Sequence, residues 1–301
     1  MENKKYTKSE TRQIANQIRK QILGIALQSG GCYLAQACSS AEIISALYTQ
    51  ILNLGPSVGE WDAIPFPGVP GPDNMDYQRG SAYHGVQAPD KDRFFVSCCH
   101  YASVIYCALA AVGRLSPSAL EKFNVDGWNM EMIGAEHSPG FENTAGSLGL
   151  TVSIAAGTAH ARKMKGESGL VYCLMGDGEL QEGQTWECVQ AAGYYKLDNF
   201  IMVVDVNGQQ VEGAIEDQMA EEPLADRFRA FGAVCAACDG HDIDAIIEAC
   251  RTAHPGKPLA VLCHTKGYTG IPPLQKRWPF LHFVRISEAE KPEFQKIYDE
   301  M

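Results

Sequence analysis

Two short strings hold the residue types that a site for a metal-bound diphosphate needs. The apolar run VYCLM ends in Gly176-Asp177-Gly178, and the run IMVVD ends in Val206-Asn207-Gly208-Gln209. Two glycines let a backbone approach a diphosphate and expose its N–H groups, while a carboxylate between them is placed for a divalent cation. Asn207 adds a neutral oxygen and the turn after it a main-chain carbonyl, the hard donors that Mg²⁺ shares with phosphates. The 28 residues between Gly178 and Asn207 suffice for one helix and one strand, which return both strings to the same sheet edge. A lone GDG is equally a tight strand-to-helix turn; the spacing, the strand context and the longer string GDGELQEGQTWE favour the site. His100 stands beside Cys98 and Cys99, but no third orienting group accompanies them, so they read as buried thiols rather than a nucleophile pair.

Such strings act only where strands end, since open parallel sheets bind ligands at their carboxyl edge. Five apolar runs qualify as strands: Phe94 to Ser97, Leu170 to Met175, Phe200 to Asp205, Ala233 to Ala237 and Leu259 to Cys263. Between them lie helical stripes at Tyr101 to Val112, Ser147 to Lys163, Glu182 to Lys196 and Asp242 to Ala253. Alternation of this kind predicts an α/β fold with a mostly parallel sheet. Upstream, Thr7 and Glu10 have capping-box spacing before Ile14, Ile18, Ile22 and Ile25, which predicts a helix to about Gln28. Ser40 is expected to open a second helix that Gly55-Pro56 closes. Residues 55–92, rich in Gly and Pro, form an irregular insertion longer than compact domains usually leave, a functional loop, a partner-facing surface or plain disorder. With no linker or repeat, residues 1–301 read as a single domain.

Composition sets the outer bounds. At 301 residues, 46% hydrophobic and 20% charged, the chain is a soluble globular type, and a body of this size buries about 75% of the surface its unfolded chain exposes. The 25 basic and 36 acidic residues leave a net charge of -11, which opposes nonspecific binding to nucleic acid or anionic lipid. Eleven cysteines without a CxxC framework read as reduced thiols, and with no apolar signal core or membrane-length run a cytoplasmic address is expected.

GDG, this interval and then Asn resemble the pattern of thiamine diphosphate enzymes, and GDGELQEGQTWE with VVDVNGQQVEG is similar to the transketolase branch of them. VSCCHYASVIYCALAAVG resembles the segment in which transketolases carry a cofactor-facing His, here His100. EHSPGFENTAGSLG is similar to their stretch joining a substrate-channel His, here His137, to a glycine-rich turn, Gly146-Ser147-Leu148-Gly149. The strings DGHD, at Asp239 to Asp242, and VLCHTKGYTG match later parts of the family pattern.

The resemblance implies a three-layer αβα thiamine diphosphate-binding fold. It implies that Asp177, Asn207 and the Gln209 carbonyl ligate Mg²⁺, or Ca²⁺ or Mn²⁺ in its place. The diphosphate falls to Gly178, with Gly176 and Glu179 beside it, and to His100; Gly146 and Leu148 meet the aminopyrimidine through their backbone. His282 corresponds to the last cofactor-side His, although RWPFLHF departs from the usual ending. Glu182 matches a Glu that links paired cofactor sites across a dimer, the other reading being a helix first-turn acid. His100, His137 and Glu182 are then the catalytic candidates, His137 being otherwise a surface loop residue.

In this family one domain holds the diphosphate and Mg²⁺, and another holds the pyrimidine ring and supplies its activating Glu. The chain matches only the first, so the resemblance implies one half of a split transketolase, transferring a two-carbon ketol unit between sugars or sugar phosphates. Its partner is a separate C-terminal, pyrimidine-domain subunit, with which it forms a heterotetramer. One departure bears on substrate: where an SGHPG-like string carries a sugar-handling His, this chain reads SGGCYLAQACSS, with Gly31 in that place. Tyr33, Gln36 or His84 are the candidate replacements. A 2-oxo acid dehydrogenase E1-like component, a deoxyxylulose phosphate synthase relative and a non-catalytic regulatory or binding subunit of the same fold are the alternatives.

Overall fold

In a computed structural model of the chain, residues 6–75, 77–219 and 222–301 are described. The elements, in chain order, begin with α1 (Lys8–Ser29), β1 (Gly31–Cys32), α2 (Leu34–Ala46), β2 (Arg93–Val96) and α3 (Ala102–Ala111). They continue with α4 (Leu150–Lys165), β3 (Val171–Gly176), α5 (Gly183–Tyr194), β4 (Phe200–Val206), β5 (Gln209–Gln210) and β6 (Gly213–Ala214). The remainder are α6 (Ile215–Gln218), α7 (Leu224–Ala230), β7 (Val234–Asp239), α8 (Ile243–Cys250), β8 (Leu259–His264), β9 (Val284–Arg285) and α9 (Lys291–Glu300).

A parallel five-stranded sheet, in the order β2-β3-β4-β8-β7, divides the interior into two. Phe94, Val96, Tyr172, Leu174, Ile201, Val203, Leu259 and Val261 pack with α1, α2, α3 and α8 on one face. Their neighbours in sequence, Phe95, Val171, Cys173, Met175, Phe200, Met202, Val204, Ala260 and Leu262, pack with α4, α5 and α7 on the other. Successive side chains of a strand point to opposite faces, so a sheet covered on both sides reads as a continuous apolar run. That is why the five expected strands agree with the observed ones to within two residues, and why the layers are helix, sheet, helix.

The capping box at Thr7 and Glu10 is present, with the Thr7 N–H donating to Glu10 at 2.8 Å, and Gly30 ends α1 at φ 77°. Contrary to expectation, Ser40 does not open α2. It lies fully buried within the helix and donates its hydroxyl to the Gln36 carbonyl at 2.5 Å, while Tyr33 precedes the first turn. Every residue of α2 is buried, so no polar face marks its start. A two-stranded antiparallel pairing of β1 with β9, and the terminal α9 that contacts α1, lay outside the sequence reading. Residues 55–92 carry one short 3-10 turn, Gly80–His84, whose Tyr83 and His84 are buried, while Trp61, Phe66, Val69 and Met75 are exposed.

Candidate active site

Parallel register sets Gly176 beside Asp205 and Asp205 beside Cys263, so the segments after β3, β4 and β8 leave the sheet at one edge. There one carboxylate ties two turns together: Asp177 accepts the Gly178 N–H at 2.9 Å on Oδ1 and the Gly208 N–H at 2.6 Å on Oδ2. Asn207 Oδ1 accepts the Gln209 N–H at 3.0 Å. Beneath both lies Asp205, fully buried, accepting hydrogen bonds from Ser39 and Tyr101 at 2.6 Å and from Thr265 at 2.5 Å. Burial pushes its carboxyl pKa up, and these donors pull against that shift. The Asn207 amide nitrogen faces this network, 3.3 Å from the Tyr101 hydroxyl and 3.4 Å from Asp205, which leaves its oxygen on the turn side.

Above these turns is a cavity of about 200 Å³. Its wall includes His100, Leu148, Gly176, Asp177, Gly178, Glu179, Asn207, Gln209 and His282, all expected from the sequence. The His100 ring lies 5.0 Å from that of His282 and 5.3 Å from that of Tyr33. Burial, and then the neighbouring His282, push His100 down to about 3; burial also lowers His282. Burial thus favours the uncharged form of both imidazoles, in which one ring nitrogen still carries an N–H to donate. Cys98 and Cys99 are buried, and burial raises both thiols, Cys99 to about 11, so neither is a ready nucleophile.

Three expected residues stand outside the wall. His137 bonds Glu131, its ring edge-on to Phe66 at 4.8 Å, in a loop away from the cavity wall. Glu182 is exposed at the start of α5, where its side chain makes no capping bond. Gly146 is exposed, its carbonyl taking a 3.8 Å contact from the Cys99 thiol; of that turn only Leu148 reaches the wall. His137 therefore stands beside Glu131 and Phe66 rather than in the wall of this cavity, and the contact expected of it is with substrate, not with the cofactor.

The donor set suits a metal-bound diphosphate. One carboxylate, one amide oxygen and one main-chain carbonyl are hard oxygen donors of the kind Mg²⁺ takes. Among the described residues the wall holds no Lys or Arg, and Asp177, Glu179 and Glu212 all belong to it. A diphosphate entering such a wall needs a cation to neutralise it.

At Gly31 the departure has a physical cause. A Cβ there would stand 2.8 Å from the Val284 carbonyl and 3.2 Å from the Arg285 Cα, because β1 pairs with β9 at this residue. The same pairing joins the segment after Gly30 to the end of the RWPFLHF string, whose His282 ring lies against His100. Of the candidate replacements, Gln36 lines the wall and donates to the His282 carbonyl at 3.1 Å, and Tyr33 packs on His100 and His282. His84 does not serve: it is buried against the Tyr48 hydroxyl, 2.9 Å from Nε2.

DGHD gains a reason that sequence spacing did not give. His241 accepts the Lys266 N–H at 2.9 Å through Nε2 and meets Glu42 at 3.1 Å through Nδ1. Glu42 pairs with buried Arg19, so His241 braces the KGYTG turn, whose Gly267 reaches the cavity, against α2. Burial acts to raise Glu42, but hydrogen bonds from His241 and Arg19 outweigh it and hold the carboxyl down at about 2. Gln210, Val211 and Glu212, also in the wall, lie within the string VVDVNGQQVEG, but their residue types alone single out none of them for a ligand.

Residues 78–279 match the model of the transketolase thiamine diphosphate-binding domain. The chain is 36% identical over 290 residues to a transketolase family protein of Sinorhizobium fredii, covering 95% of this chain and 94% of that protein. It is 29% identical over 289 residues to one of the apulose-4-phosphate transketolase subunits of Actinobacillus succinogenes, covering 95% of each. Among solved structures, transketolase from Leishmania mexicana superposes with a TM-score of 0.74 at 20% identity, covering 98% of this chain. This chain spans only 42% of that transketolase's length. Motif geometry, family match and fold agree: the chain belongs to the transketolase family of transferases, on its thiamine diphosphate-binding domain.

Proposed function

We propose that this chain is the diphosphate- and metal-holding subunit of a two-chain transketolase that moves a two-carbon ketol unit from a ketose to an aldose. The observation that carries the reading is the convergence of Asp177, Gly178 and Asn207 in a wall without Lys or Arg. The Actinobacillus relative, of nearly the same length and named as a transketolase subunit, supports the division into two chains. Bound thiamine diphosphate supplies the electron sink for cleaving and remaking the sugar's carbon–carbon bond.

This chain's residues do the holding. Asp177, Asn207 and the Gln209 carbonyl would hold Mg²⁺, and the Gly178 N–H, turned from Asp177, with the rings of His100 and His282, would donate to the diphosphate oxygens. Leu148 faces the aminopyrimidine. Gly31 takes the place of the family's sugar-handling His, and Tyr33 and Gln36 are the polar side chains nearest it in sequence that reach His100, His282 or the cavity wall. Neither substitutes for an imidazole as a proton shuttle near neutral pH, and burial raises the Tyr33 phenol further. Substrate contacts at that end are therefore held rather than titrated. The activating Glu and most acceptor contacts come from the pyrimidine-domain chain, and Glu182, exposed at α5, is free to meet a second copy in a heterotetramer.

Calorimetric titration with thiamine diphosphate tests the holding site. Binding is expected with Mg²⁺ and lost in EDTA or in Asp177→Ala; binding of equal strength without a divalent cation contradicts it.

A further inference from the structure

Glu179, which the family resemblance sets beside the diphosphate, shares the cavity wall with two other carboxyls, Asp177 and Glu212. It is 2% exposed, and one oxygen, Oε1, takes both of its side-chain bonds. The Ser97 hydroxyl, at the end of β2, donates to it, and so does the Gly149 N–H at 2.7 Å. Its backbone belongs to the turn that follows Asp177, and its carbonyl accepts the Thr185 hydroxyl at 3.2 Å. The second oxygen, Oε2, is buried with no hydrogen-bond partner. A buried polar atom left unpaired disfavours the folded state, so stability alone does not explain a carboxyl here.

Gly149 is the far end of this contact and the residue that caps the start of α4. Its φ of +76° suits glycine, and a Cβ there would come 2.9 Å from the Glu182 Cβ. The turn is thus pressed against the start of α5 on one side and fastened by its N–H to Glu179 on the other. Leu148, which faces the cavity, immediately precedes that fastening.

We propose that Glu179 is a positioning residue: a strut from the Asp177-Gly178 turn to the Gly149 N–H that sets the height of Leu148 over the cavity. It couples the part of the site that holds the diphosphate to the part that meets the ring, without touching either. The inference deepens the cofactor site proposed above and rests on that reading.

Three variants separate the strut from its alternatives. Gln retains an oxygen that accepts from Ser97 and Gly149. Asp keeps the carboxyl but is one methylene too short to reach Gly149, and Ala removes the group altogether. Hydrogen–deuterium exchange on the full chain without ligand reads the strut itself. Glu179→Ala and Glu179→Asp should exchange faster over residues 143–150, and Glu179→Gln should match the unaltered chain; equal exchange in all four overturns the strut.

Calorimetry then reads its consequence with two probes, inorganic diphosphate with Mg²⁺ and thiamine diphosphate with Mg²⁺. The Asp and Ala variants should bind thiamine diphosphate about tenfold more weakly, the lower end of what outer-shell partners usually cost. Binding of inorganic diphosphate should be unchanged, and Gln should restore both. Equal weakening of both probes, or of neither, overturns the coupling to the ring. If the unaltered chain binds neither probe, the cofactor reading fails, a result separate from any change in exchange. Should the Ala variant not fold, the Asp and Gln pair carries the same contrast.

Discussion

Asp177 has more tasks than any other residue of the site. Its two oxygens hold two turns, through the Gly178 and Gly208 N–H groups, and the carboxylate is the one charged donor proposed for the metal. Asp177→Ala should therefore weaken Mg²⁺-dependent cofactor binding by roughly 100-fold or more, beyond the range of outer-shell changes, in the same calorimetric titration. A smaller loss would place the metal elsewhere. His84 tests burial away from the site. Buried and next to Arg114 and Arg93, it is pushed down to about 3 from an ordinary value near 6.5. Below pH 6.5 the unfolded chain takes up a proton at this ring while the folded chain does not, so His84 removes stability as pH falls towards 3. Urea unfolding of His84→Gln should show a smaller loss of stability between pH 7 and 4.5 than the unaltered chain; identical slopes would show that the ring is not held neutral.

At the level of elements, the pairing of β1 with β9 leaves no room for a side chain at residue 31. Gly31→Ala places a Cβ against the Val284 carbonyl, an overpacking that should lower unfolding free energy by about 1–3 kcal/mol in urea. Gly31→His should cost at least as much and also weaken cofactor binding, because moving β9 moves His282. If Gly31→His folds normally, the close approach of β9 is wrong. The brace under α2 makes a second prediction. Glu42→Ala leaves Arg19, 3% exposed, without its carboxylate and should destabilise the chain by about 3–5 kcal/mol. A near-neutral result would show that the pair is hydrated. These elements also mark the limits of legibility. The strands ending at Gly176 and Asp205 could be read because burial on both faces leaves a continuous apolar signature. The early start of α2 could not, since a helix buried all round has no polar stripe, and neither could β9, whose two residues are set by a partner some 250 residues away. In the site, GDG and Asn were legible because a strand end fixes where they point, a constraint that the loop string around His137 lacks.

For the whole molecule, net charge, sheet and cavity point to the same division of labour. A chain of net charge -11 with no cationic side chain among the described residues of the cavity wall offers a diphosphate no attraction of its own, which is why the proposed site includes a cation. The fold covers both faces of its sheet, and the cavity lies at the carboxyl edge, where the proposed second chain would meet the ring. The most direct test is ketol transfer from hydroxypyruvate to an aldose phosphate, with thiamine diphosphate and Mg²⁺ present. It should be measured for this chain, for a pyrimidine-domain transketolase chain encoded beside it, and for their mixture. The account predicts no turnover from either chain alone and turnover in the mixture that saturates at equal amounts and is abolished by Asp177→Ala. Turnover by this chain alone would contradict it, as would a mixture that binds cofactor and transfers nothing.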